Sequence, residues 1–274
     1  MECNLENITV HYNVIGDGRP IIMLHGAYLD HRHMMTSMEP MFEHRNGWKR
    51  IYPDLPGHGR TPAEDWITGH DQVLDIVLAF IDNVIPEQSF VLAGMSRGGY
   101  LARGVIYRRS ASVDGLLLDV PVTTVVAEEM SLPSHIVLAK DAALRSELEA
   151  HETELFDGMI VVQSGKVLSR LRKDFFPAIK LTDDEFQARI LANYEFSFAV
   201  DKLSEPFDKP TLILLGRQDS SSGYRDAWTI LENFPRATFA ILDRAGHFLQ
   251  IEQEDLYREL VNEWLDRVEE SIGS

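Results

Sequence analysis

Two hydrophobic periodicities alternate along most of the chain. Pro20 to Leu24, Arg50 to Tyr52, Phe90 to Ala93, Gly115 to Leu118, Thr211 to Leu215 and Thr238 to Leu242 are short, nearly continuous runs, as strands buried on both faces of a parallel sheet require. Between them, Gln72 to Val84 places Val73, Ile76, Val77, Phe80, Ile81 and Val84 at spacings of three and four. Leu256, Leu260, Val261, Trp264, Leu265 and Val268 repeat in the same way, so both stretches predict amphipathic helices. Strands alternating with helices imply right-handed βαβ units and a doubly wound, mostly parallel α/β sheet. Ahead of the first run, Asn7 to Ile15 alternates like a half-buried strand and Gly16-Asp17-Gly18 supplies turn chemistry, so an opening hairpin is expected.

The alternation stops between Pro121 and Lys209, where helical patterns dominate. This predicts a core domain built from residues 1–120 and 210–274, with a helical cap at 121–209 inserted after the strand that ends near Leu118. Within the cap, Thr182-Asp183-Asp184-Glu185 reads as a capping box, with Thr182 as N-cap and Glu185 at the third helical position. The helix so opened runs through Phe186, Ile190, Leu191 and Tyr194, and Asp174 to Pro177 reads as a break before it.

Apolar residues make up 45% and charged residues 25% of the 274 positions, a globular composition. The 26 Lys and Arg against 43 Asp and Glu leave a formal charge of −17, a surface that repels phosphate backbones and anionic lipid. Neither nucleic acid nor a membrane is an expected partner. Cys3 is the single cysteine, Met1 to Pro20 has no apolar segment behind a basic start, and no apolar run approaches the ~18 residues of a span. A cytoplasmic protein is expected.

Gly94-Met95-Ser96-Arg97-Gly98-Gly99 follows one predicted strand and precedes a helical stretch from Tyr100 to Arg109. A strand, a sharp turn and a helix lift a serine oxygen above the sheet, and small residues on either side let neighbouring backbone approach. A serine hydroxyl needs a base to take its proton and an acid to orient that base. Asp219 and His247 lie just beyond the strands at Thr211 to Leu215 and Thr238 to Leu242, in the chain order Ser, Asp, His. Asp119, at another strand end, is a rival acid, and Asp243 is too near His247 in sequence to be preferred. The oxyanion would meet the backbone N–H of Arg97 and that of Ala27, in the loop His25-Gly26-Ala27-Tyr28. Such a triad needs no cofactor and no metal.

His25-Gly26, Asp54 to Thr61, Gly94 to Gly99, Gly216 to Asp219 and Gly246-His247 together resemble the α/β-hydrolase superfamily over roughly Pro20 to Val120 and Pro210 to Trp264. The resemblance implies a serine hydrolase of that fold, supports Ala27 as an oxyanion donor and gives Asp54 to Thr61 the role of a structural surface turn. Haloalkane dehalogenases and epoxide hydrolases of this fold carry an aspartate where this chain has Ser96. Ala27-Tyr28-Leu29-Asp30 departs from the glycine-rich oxyanion loop of proline iminopeptidases and many carbon–carbon bond hydrolases, which argues against those activities.

The expected reaction is hydrolysis of a small carboxylic ester. One alternative is a lactonase, thioesterase or carbon–carbon bond hydrolase acting on a carboxylate-bearing metabolite, and another is a triad-retaining ligand receptor or signalling protein. Tyr28, Arg97 and Phe248 are candidate substrate contacts. The Arg97 guanidinium could meet a substrate carboxylate or turn away into packing. His31 and His33 read as solvated loop residues rather than metal ligands, and His58 as a structural hydrogen-bonder. Of the cap residues Met130, Phe156, Met159, Phe175, Phe176, Phe196 and Phe198, a minority should line a pocket and the rest form core. The acidic stretches Glu147 to Glu154 and Glu252 to Glu270 read as solvated surface.

Overall fold

The computed structural model of the protein describes residues 1–273. β1 (Glu2–Asn4), β2 (Thr9–Ile15) and β3 (Arg19–Leu24) lead into α1 (His31–Phe42), followed by β4 (Trp48–Pro53), α2 (His70–Val84), β5 (Phe90–Met95), α3 (Arg97–Arg109) and β6 (Val113–Asp119). The chain then leaves the sheet through β7 (Ala139–Lys140), α4 (Ala150–Gly158), β8 (Val162–Gln163), α5 (Gly165–Arg170), α6 (Phe176–Ile179) and α7 (Asp184–Ala192). It returns as β9 (Thr211–Gly216), β10 (Ala237–Leu242), α8 (Leu249–Glu252) and α9 (Glu254–Gly273).

Eight strands form one sheet in the order β1-β2-β4-β3-β5-β6-β9-β10. From β4 to β10 every pair is parallel, while β1 and β2 are antiparallel. Alternate residues of each central strand enter different apolar cores. In β9, Leu212 and Leu214 join Met34, Met38, Val261 and Trp264 of α1 and α9, whereas Ile213 and Leu215 join Val73, Val77, Leu101 and Val105 of α2 and α3. Both faces are covered, which is why these strands read as unbroken apolar runs.

The expected hairpin between Asn7–Ile15 and the next strand is absent, because β4 lies between β2 and β3. Val14 and Ile22 both register on Ile51, one antiparallel and one parallel. The glycines reverse the chain, with φ of 74° at Gly16 and 106° at Gly18, but the apolar β3 pairs better in the parallel centre. β2 pairs instead with β4 on one side and with β1 on the other, the latter through Cys3↔Val10.

Three details of the segment between β6 and β9 also differ from expectation. β7 and β8 form a two-residue parallel pair, Ala139↔Val162 and Lys140↔Gln163, too short for any periodicity to reveal. Asp174–Pro177 is no break: a π-helical turn over Leu171–Phe175 carries α5 into α6, with Pro177 in the first turn, where no N–H is needed. The N-cap of α7 is Asp183 rather than Thr182, its carboxylate accepting from Phe186 N at 2.8 Å, so the helix starts one residue later. Nor are all the acidic stretches solvated, since Glu152 and Glu252 are buried.

Asp183→Ala is therefore expected to lower stability by about 1 kcal/mol, and Thr182→Ala by about 0.5 kcal/mol or less, read from urea unfolding midpoints. Equal effects would return the cap to Thr182.

Candidate active site

Ser96 occupies the turn between β5 and α3 with φ 53° and ψ −116°, a conformation a side-chain-bearing residue adopts only where surroundings enforce it. The enforcement is close backbone contact. A Cβ on Gly98 would stand 2.2 Å from Leu24 O, and one on Gly94 would stand 2.3 Å from Gly98 O. Ser96 N donates to Asp119 O at 2.9 Å, and Ser96 O accepts from Val122 N at 3.1 Å, so the ends of β5 and β6 fix the turn from both sides.

The structure brings Ser96, His247 and Asp219 together. His247 Nε2 lies 3.0 Å from Ser96 Oγ, and Nδ1 lies 2.9 Å from Asp219 Oδ2. Asp219 Oδ1 accepts from Ser221 N and Ser222 N at 2.8 and 3.0 Å. The two loops meet because Gly216 has no side chain: its Cβ would fall 2.2 Å from Gly246 O. Asp119 is buried behind the site, its carboxyl raised by that burial to about 7, with Oδ1 unpartnered. Asp219, then, is the acid that bonds the imidazole, and Asp243 is exposed at the far end of its loop. Burial acts to lower the His247 imidazole, but the Asp219 charge and hydrogen bond, with Asp119 and Glu252 beyond, leave it raised.

Two supports gave no sequence signal. Ser222 Oγ lies 3.0 Å from His247 Nδ1 and donates to Val120 O at 3.1 Å. Glu252 accepts from Gly246 N with one oxygen and from Val161 N and Val162 N with the other. It thereby ties the His247 loop to the segment between β6 and β9. Both act across long sequence separations, and Glu252 lies in a stretch that otherwise looks like surface.

Above Ser96 opens a cavity of about 550 Å³, lined by Ala27, Tyr28, Ser96, Arg97, His247 and Phe248 among others. All the sequence candidates for oxyanion and substrate contact thus share one space. Arg97 is the first residue of α3, so its N–H has no acceptor within the helix. The Ala27 loop is set by His25, which donates from Nδ1 to Gly26 O at 2.7 Å and accepts at Nε2 from Leu55 N at 2.9 Å. Met130, Met159 and Phe175 line the cavity. Phe156 and Phe176 pack in the core, while Phe196 and Phe198 stack on each other and on Tyr100 and Tyr107.

His31 and His33 are not solvated loop residues, since both lie in the first turn of α1. His33 is fully buried, with Nδ1 3.2 Å from Asp174 and Nε2 2.6 Å from Gln250. His31 Nδ1 lies 2.7 Å from Asp54 Oδ1. Asp30, His31 and Asp54 place donor atoms within 4.8 Å of one another, but Asp54 is held by His31 and Arg60 N and Asp30 by Arg32. Asp54 to His58 is buried rather than a surface turn. His58 Nδ1 donates to Pro56 O at 2.8 Å and its Nε2 faces Gln187 Nε2 at 3.0 Å.

The sequence pattern that describes the alpha/beta hydrolase family matches residues 21–260. The chain belongs to the alpha/beta hydrolase family. As an alpha/beta hydrolase it is similar to an alpha/beta superfamily hydrolase of Oenococcus oeni, at 26% identity and a TM-score of 0.87 over 98% of this chain and 99% of that one. It is 24% identical over 271 residues to a pimeloyl-[acyl-carrier protein] methyl ester esterase of Legionella pneumophila, covering 94% of this chain and 100% of the relative. It is 22% identical over 265 residues to an (E)-2-((N-methylformamido)methylene)succinate hydrolase of Acinetobacter baylyi, covering 95% of each. The family match makes the chain a hydrolase. No helix among the described residues is long and apolar enough to cross a membrane.

Because Asp219 is the main influence raising His247, Asp219→Asn is expected to lower the imidazole pKa, followed by NMR of the ring protons. An unchanged or raised value would contradict the assignment.

Proposed function

We propose that this alpha/beta hydrolase cleaves carboxylic esters through a Ser96–His247–Asp219 triad and an acyl-enzyme. The observation that carries this reading is the 3.0 Å approach of His247 Nε2 to a strained, cavity-facing Ser96 Oγ. His247 takes the Ser96 proton as Oγ bonds to the ester carbonyl carbon, and Asp219 stabilises the imidazolium. The oxyanion accepts from the N–H groups of Ala27 and Arg97. As the carbon–alkoxy bond breaks, His247 returns the proton to the leaving alcohol. Water, deprotonated by His247, then attacks the acyl carbon, and the proton passes to Ser96 as the acid leaves. No step calls on a cofactor.

Residues 121–209 serve in this reading as a cap over the triad. Support comes from Val122, Met130, Met159, Phe175, Leu191 and Tyr194, which supply much of the cavity lining. The methyl ester esterase activity named for the Legionella relative supports an ester substrate. The Acinetobacter relative, named as an (E)-2-((N-methylformamido)methylene)succinate hydrolase, favours a second reading in which the bond cleaved belongs to another carboxylate-bearing compound. A panel of short aryl esters separates the two, since rapid turnover favours the first.

A fluorophosphonate should label the wild type, but not Ser96→Ala, and should label His247→Ala far more slowly. On an aryl ester either substitution should lower kcat by about 10³-fold or more. Labelling that persists in Ser96→Ala would overturn the assignment.

Only neutral His247 accepts a proton, and its pKa is raised, so kcat/KM should rise with pH through a midpoint above the ordinary histidine value of about 6.5. Asp219→Asn should move that midpoint to lower pH while reducing kcat by about 10⁴-fold. An acid limb that stays in place would dissociate it from His247.

A further inference from the structure

The side chain of Arg97 has a part in the cavity that proton transfer does not use. Arg97 is 3% exposed. Its Nη1 donates to Gln187 Oε1 at 2.6 Å, whereas Nε and Nη2 are buried without a hydrogen-bond partner. These two nitrogens share one edge of the planar guanidinium, the edge that can donate to both oxygens of a carboxylate. Arg103 and Arg170 also bury unpartnered nitrogens, but each has a carboxylate beside it: Asp201 at 3.3 Å from Arg103, and Glu254 at 3.2 Å from Arg170. Among the described residues Arg97 alone of the three forms no ion pair.

Four neutral groups stand against that guanidinium: Gln187, His58, His70 and Tyr194. His58 donates from Nδ1 to a carbonyl, so its Nε2 accepts from Gln187 Nε2, which turns Gln187 Oε1 toward Arg97. His70 is brought down to about 3 by burial and by the Arg97 charge. Tyr194, whose ring centroid is 5.7 Å from the guanidinium carbon, is raised by burial although Arg97 opposes the shift. A buried cation with no counter-charge is strongly unfavourable unless a ligand supplies one. Arg97 and Tyr194 both line the cavity above Ser96, whose remaining wall includes Met95, Val122, Val125 and Met130.

We infer that the Nε–Nη2 edge of Arg97 is a carboxylate-binding subsite, and that the substrate is an ester carrying a free carboxylate on a short apolar chain. The inference rests on the ester-hydrolase reading for its reaction, but not for its binding site. Gln187 and His58 are positioning residues that hold the guanidinium by Nη1 and leave its other edge without a counter-charge.

The probes are monomethyl succinate, glutarate and adipate, each beside its dimethyl ester, and the acetate ester of a hydroxybutyrate beside the methyl ester of that acid. In wild type, kcat/KM for at least one carboxylate-bearing ester should exceed that of its neutral counterpart by about 10- to 100-fold, the range for a charged hydrogen-bonded contact. Arg97→Gln should abolish this preference and Arg97→Lys should retain part of it. A wild type that prefers every neutral ester, or a preference that survives in Arg97→Gln, overturns the subsite. Binding is followed separately by calorimetry on Ser96→Ala, where monomethyl glutarate should bind more tightly than dimethyl glutarate and lose that advantage in Ser96→Ala/Arg97→Gln. If that difference holds and no ester is turned over, the ester reading fails and the subsite stands. If esters are turned over without regard to charge, the subsite fails and the ester reading stands.

Discussion

The site depends on one backbone constraint, the left-handed conformation of Ser96 at the end of β5. It persists because three pieces of chain meet there at distances that exclude side chains. Gly98 lies against the Leu24 and His25 carbonyls at the end of β3, Gly94 against Gly98, and Gly99 against Pro121 just after β6. The order β3-β5-β6 in the sheet makes these neighbours. Once the turn is held, the loop bearing Ala27, the N-terminus of α3 and the exit from β6 are held too. The strain is local, and the sheet's continuous burial on both faces offsets it.

Around this turn, similar side chains acquire different properties from their surroundings. Asp219 receives two backbone N–H groups and the imidazole, while Asp119, a short way off, is buried with an unpartnered oxygen and is raised to about 7. Glu252 receives three backbone N–H groups and serves as a tie between loops. One carboxylate bonds the imidazole, one stands behind it and one fixes the chain that carries it, a division set by donors rather than residue type.

What was legible in the sequence follows from the range of each signal. Ser96 and His247 sit in short turns whose glycines announce tight backbone, and the central strands announce themselves by unbroken apolar runs. Asp219 and Asp119 were both at strand ends, and the choice between them rests on the Gly216–Gly246 approach, a contact between two loops. Ser222, Glu252 and Gln187 act through partners far away in sequence, and each looks alone like an ordinary polar surface residue. Asp54 to His58 failed in the opposite sense: the family resemblance gave it the role of a surface turn, but His25, His31 and Gln187 close over it. The hairpin failed because turn chemistry reports where a chain reverses, not which strand it then pairs with. The N-cap slipped by one residue because Thr182 and Asp183 are both competent caps, and the packing of α7 chooses between them.

The net charge of −17 and the lone cation at Arg97 act over different distances. Surface charges are screened over about 8 Å at physiological ionic strength, so they oppose the approach of polyanions and influence little inside a cavity walled by apolar side chains. Within the cavity the local charges decide. Asp219, Asp119 and Glu252 gather behind His247, while the free edge of Arg97, held through Gln187 and His58, lies with no anion beside it. This polarity leaves a small anionic ligand one favourable orientation, with its charge toward Arg97 and its uncharged end toward His247. An acidic surface and a buried arginine are therefore compatible, because the first governs encounter and the second governs alignment.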